Sequence, residues 1–245
     1  HMLINALLSC EFGKCANFTE GFDINPNENT DITIPISITT ATIRTNAPGN
    51  YYGKIVIASN RTSPLTLTID NLIFGNGTST SGFIDFGNNN SYALGKNILI
   101  FSSTNSINNI TLNEPAIRVA SNTSLIITST SSSSILTCTA SDHGSGIGSG
   151  ESETSGTIII EGNGTINSTG GSYAAGIGGG AFSNGGNITI QGSAIVNSFS
   201  GNDGAGIGGG AYSFVLDTGG YGGNITIGGN SIVTSISSSL GAGIG

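Results

Sequence analysis

Side chains suited to acid–base chemistry gather in one short stretch of this 245-residue chain, at Asp142, His143, Glu151 and Glu153. Paired carboxylates on either side of a sugar linkage carry out glycoside hydrolysis, and a β-helix polysaccharide lyase needs an acidic metal cluster with a Lys or Arg beside it. No Lys or Arg follows Arg118, so the stretch lacks a nearby base. The competing reading of the four residues is a solvated acidic edge. If they sit in one repeat unit, Asp142 with His143 and Glu151 with Glu153 fall at opposite ends of one short strand.

A second set of residues suits binding instead of catalysis. Phe182 and Tyr212 each stand six residues after the start of a Gly-Ile-Gly triplet, while Tyr173 and Asp203 each stand three before one. Aromatic rings on adjacent rungs, with Asn184, Asn202 and Asp203 nearby, form a platform that would take sugar rings through CH contacts and planar polar groups. The alternative is that these rings merely cover a turn.

Two glycine motifs invite a cofactor reading and resist it. The stretch from Gly204 to Gly209 has the glycine spacing of a dinucleotide fingerprint, but it recurs as a repeat and runs on into more glycine where a helix should start. Residues 219–227 match a calcium-binding nonapeptide except that Asn224 replaces the ligating aspartate, and the motif occurs once. The expectation is no cofactor, with calcium as the one ion to consider. Outward Thr189 and Thr226, with Asn187 and Asn224, form a polar ladder that suits solenoid stabilisation.

The elements that must position these residues follow from the triplet's spacing. Gly146, Gly176 and Gly206 are 30 residues apart, and Gly243 follows after 37 because of an insertion within 212–221. Self-similarity at such a period is the mark of a repeat architecture. Each unit continues with an alternating strand (Ile158-Ile159-Ile160, Ile188-Thr189-Ile190, Ile225-Thr226-Ile227), a turn glycine and a second strand (Thr165-Ile166, Ile195-Val196, Ile232-Val233). Period two places the first and third residue of each alternating strand inward. Three strand pieces per unit make a triangular rung, so the expected fold is an all-β parallel β-helix, right-handed by the usual rule. Ile147, Ile177, Ile207 and Ile244 should form one inward ladder. A fainter unit precedes these at Ala116-Ile117, Leu125-Ile126-Ile127 and Ile135-Leu136, and the strand-like segments 31–38, 54–58, 65–74 and 97–101 drift out of register. The expected divisions are a cap region at 1–30, with 3–8 as a short helix or strand, irregular rungs over 31–140, and glycine-rich regular rungs over 141–245. Ending inside a fourth triplet, without a cap, the chain reads as a fragment of a longer protein.

Composition narrows the partners. Charged residues make up 8% of the chain and the formal net charge is −8, with the six basic residues scattered singly. Nucleic-acid binding needs clustered Lys and Arg, so none is expected. No apolar run approaches the roughly 20 residues that cross a bilayer. Cys10 and Cys15 are close enough in sequence for a local bridge, and Cys138 reads as a buried thiol. Ten Asn-x-Ser/Thr sequons are about what so much Asn, Ser and Thr produces by chance. His1 and Met2 read as residues left by expression after removal of a leader.

Residues 172–190 (SYAAGIGGGAFSNGGNITI) and 203–227 resemble the GAGIGGG and GGxITI repeats of bacterial extracellular surface proteins described as adhesin-like or carbohydrate-binding β-helix proteins. Residues 65–69 and 116–127 are similar to the less regular rungs that precede those repeats. The resemblance implies secretion, cell-surface display and contact with a polysaccharide or cell-surface glycan. The expected function is a non-enzymatic surface module for adhesion or glycan binding. The alternatives are a polysaccharide lyase or glycoside hydrolase of β-helix fold, and a purely structural stalk.

Overall fold

The computed structural model describes residues 8–11, 14–17, 22–24, 31–45, 52–59, 61–76, 81–87, 95–211 and 220–245. Among these residues there is no helix. The chain winds through three parallel sheets as a parallel β-helix. One rung shows the path. It leaves the third face at Ile147–Gly148, crosses the first at Thr157–Ile160 and the second at Thr165–Thr169, then returns to the third at Ile177–Gly178. Each strand pairs in parallel with its counterpart one rung on. The first face holds eight strands, from Phe22–Ile24 to Asn224–Ile227. The second holds six, from Ile73–Phe74 to Ile232–Ser237, and the third seven, from Ile32–Ile34 to Ile207–Gly208. Before the solenoid, Leu8–Glu11 and Lys14–Asn17 pair antiparallel with Cys10 opposite Cys15. Residues 3–7 lie outside the described part.

Alternation decides which side chains enter the core. On the third face, Ile32, Ile55, Ile84, Ile117, Ile147, Ile177, Ile207 and Ile244 stand in one continuous register. The ladder expected from four triplets thus extends through eight rungs. Its steps of 23, 29, 33, 30, 30, 30 and 37 residues show that the upstream segments stack in register, their length differences being taken up between strands. Ala41, Leu67, Leu99, Ile127, Ile160, Ile190 and Ile227 form the matching ladder on the first face. From Ile32 to Ile207 these inward side chains are almost wholly enclosed, and burying a side chain of Val, Leu or Ile size contributes roughly 1.5–3 kcal/mol.

The Gly-Ile-Gly triplet now has a physical cause for each residue. A Cβ on Gly146, Gly176 or Gly206 would collide with the hydroxyl of Ser168, Ser198 or Ser235 on the second face. Those hydroxyls donate to the carbonyls of Gly176 (2.7 Å), Gly206 (2.6 Å) and Gly243. The isoleucine fills the core. The last glycine takes φ of 142°, 127° and 138° at Gly148, Gly178 and Gly208, where a side chain would be strained and would strike the next rung's carbonyl. Cys138 holds the place of these serines one rung earlier, opposite Ser168, and is fully buried. Burial pushes its thiol pKa up.

Candidate functional site

The triplet does not run straight. The Ser145 N–H donates to the carbonyl of Ser149, Ala175 to Gly179 and Ala205 to Gly209, so each copy folds back on itself. The residues before and after it are therefore neighbours. Asp142 with His143, and Glu151 beyond the loop, do not lie at opposite ends of a strand: His143 Nδ1 is 3.2 Å from Glu151 Oε1 and Nε2 is 3.7 Å from Asp142 Oδ1. Nδ1 is enclosed and has no aligned hydrogen-bond acceptor, so its contact with Glu151 is a close approach and not a hydrogen bond.

One rung further on, the same folding brings Tyr173 and Phe182 to the same place. His143 and Tyr173 occupy equivalent corner positions, 30 residues apart, and their ring centroids are 5.4 Å apart at 70°. Phe182 follows the next triplet, and its ring is 5.7 Å from that of His143 at 66°. Both are edge-to-face contacts of the favourable kind. The Ala181 N–H donates to the His143 carbonyl at 2.9 Å and ties the two turns together. Phe182 has φ of 60°, a left-handed conformation that bulky side chains avoid. Asp142 has φ of 54°. The aromatic set and the acidic set are thus one cluster. Tyr173 is its most open member, 38% exposed.

Other expected members are placed differently. Asp203 follows Tyr173 in the same column; its N–H donates to Ser172 and its carboxylate accepts the Leu240 N–H at 3.4 Å. Asn202 is exposed beside it and its carbonyl accepts from Ser239 N–H. Asn184 is turned to a structural task, its side chain accepting the Tyr221 N–H at 2.9 Å. Tyr212 lies outside the described residues.

Glu153 leaves the cluster altogether. Its carboxylate takes a fork of two hydrogen bonds from Arg118, at 2.9 and 2.6 Å, and Arg118 also reaches Asp85 at 3.4 Å. Arg118 is outward on the third face, opposite Asp85 on one side and Gly148 on the other. Gly148 has no side chain, and the guanidinium passes it to meet Glu153. The last Lys or Arg in the chain is therefore spatially joined to the acidic stretch that appeared to lack one. Glu114 adds a third carboxylate to this group. Desolvation pushes the pKa values of Asp85 and Glu114 up, and for both it outweighs the attraction of Arg118. The hydrogen bonds that Arg118 donates to Glu153 hold its pKa up. Asp85 and Glu114 are the residues sequence reasoning missed. Their distance from the triplet along the chain hides them, although Asp85 is exactly one rung before Arg118 in register.

Among the described residues, no three His, Cys, Asp or Glu side chains converge as a metal site. Asn224, at the aspartate position of the calcium-like motif, donates its amide to Asn187 at 3.0 Å, as Asn197 does to Asn167 at 2.9 Å. These are ladder contacts. No family model, curated protein or solved structure matches the chain.

Proposed function

We propose that the chain is a non-enzymatic, extracellular surface module that binds glycans at the corner formed by His143, Tyr173 and Phe182. The observation that carries this reading is the convergence of three rings from two successive rungs, with the carboxylates of Asp142 and Glu151 at their edge. Ring faces pack against the apolar side of a sugar, and carboxylate oxygens accept from its hydroxyls. The left-handed backbone of Phe182 supports it further. A glycine would adopt that turn without strain, so the aromatic side chain is held there at a conformational cost. Secretion and surface display rest on the repeat resemblance.

Purified protein should bind at least one member of a glycan array, and Phe182→Ala and Tyr173→Ala should each weaken that binding about tenfold, the range of a lost aromatic anchor. Absence of binding to every glycan would overturn the proposal. One observation favours a second reading, a hydrolase: Asp85, beside Arg118 on the third face, and Glu114, within reach of the Arg118 charge, both have raised pKa values. Release of reducing sugar by the protein, abolished by Asp85→Asn, would establish that reading over the first.

A further inference from the structure

We infer that the corner at His143 and Tyr173 selects glycans carrying free amines, such as oligomers of de-N-acetylated hexosamine. This inference rests on the glycan-binding reading and adds the ligand's charge to it. The carboxylates around the rings outnumber the single imidazole among them. Asp142 and Glu151 lie against His143, and Asp203 occupies the column position one rung beyond Tyr173. Glu153, which could have joined them, is neutralised by Arg118. No Lys or Arg follows Arg118 in the chain, so His143 is the one basic side chain of the later rungs set against these carboxylates. Uronate-bearing or sulfated chains are repelled by such a field, and neutral sugars gain nothing from it.

The rings point to the same ligand chemistry. An ammonium group is attracted to the face of a Tyr or Phe ring within about 6 Å of its centroid, so a protonated amine on a sugar resting against Tyr173 engages ring and carboxylate together. Spacing adds a third reason. The column His143, Tyr173, Asp203 advances by one rung, about 4.8 Å, at each step. This is close to the length of one sugar residue in an extended β-linked chain. The Asp203 position then lies about one sugar length beyond the exposed Tyr173 ring, with Asp142 and Glu151 beside His143 one length before it.

The test is calorimetric titration of the whole 245-residue chain with three hexamers: glucosamine, N-acetylglucosamine and galacturonate, at low ionic strength with the amines protonated. The glucosamine hexamer should bind about tenfold more tightly than its acetylated counterpart, and added salt should weaken it. Glu151→Gln should lower that affinity several-fold, while Glu161→Gln, at a carboxylate engaged with Gln191, should leave it unchanged. Phe182→Leu accompanies Phe182→Ala as a milder variant, with thermal melting to show that each is folded. Equal affinity for both hexosamine hexamers, with loss of both in Phe182→Leu, overturns the charge selection and leaves the glycan site standing. Equal weakening by Glu161→Gln and Glu151→Gln overturns it as diffuse attraction. Binding of none of the three hexamers, together with silence on the glycan array, overturns both readings.

Discussion

Asp85 and Glu114 show how burial and charge compete at single residues. Arg118 draws a proton off each, yet the cost of enclosing a carboxylate is larger and their pKa values rise. A group whose pKa is raised by folding binds its proton more tightly in the native state. Its contribution to stability is therefore full below the ordinary carboxylate value of about 4 and is lost as pH rises through the raised native value. Denaturant titrations at a series of pH values should show this against Asp85→Asn/Glu114→Gln. The native protein's stability relative to the variant should increase as pH falls from neutral toward the carboxylate range. A relative decrease would mean that Arg118 governs both groups. His143, Tyr173 and Phe182 illustrate the same point for packing: contact across a rung brings three rings that are far apart in sequence into one cluster.

At the scale of the strand and its turn, the repeat is held by a reciprocal fit between the second and third faces. Ser198 needs the space that Gly176 leaves empty, and its hydroxyl then bonds the carbonyl of Gly206 one rung on. Gly176→Ala should cost about 1–3 kcal/mol, the usual range for overpacking, whereas Gly228→Ala, with nothing near its added carbon, should stay within about 0.5 kcal/mol of the parent. Ser198→Ala should cost about 1 kcal/mol for the lost buried hydrogen bond. Because its hydroxyl is the nearest atom in the clash, Gly176→Ala should cost less in the Ser198→Ala background. A double-mutant cycle by chemical denaturation measures that coupling; strict additivity would show that the backbone at Phe199 is the true obstacle. Along the first and second faces, Asn187 with Asn224 and Asn167 with Asn197 supply the matching links between rungs.

Over the whole molecule, each rung buries its core against the rungs before and after it, so stability is distributed along one dimension. Ile158 and Ile188 are fully enclosed, while Ile227 and Ile244 in the last described rung are 41% and 48% exposed. Backbone hydrogen exchange of this chain should therefore be slowest in Ser124–Ser129 and Thr157–Ile160 and fastest in Asn224–Ile227 and Ile232–Ser237. Uniform protection from rung to rung would indicate global unfolding as one unit instead. The corner at His143 lies among the inner rungs, and on this reasoning the candidate site belongs to a rigid part of the solenoid.

The amino-acid sequence by itself determined the class of fold, the 30-residue rung and the inward isoleucines, because a one-dimensional repeat writes its spatial neighbours at constant sequence distance. Where that distance varies, as between Ile32, Ile55, Ile84 and Ile117, the ladder continues in space but its period is lost to inspection. Only the tertiary structure decided how the triplet folds back, and with it that Glu151 meets His143 while Glu153 meets Arg118. Alternation settles which way a side chain points within a strand. It says nothing of turns, where hydrogen bonds such as Ser145 to Ser149 set the path, and the candidate site is built almost wholly of turn residues.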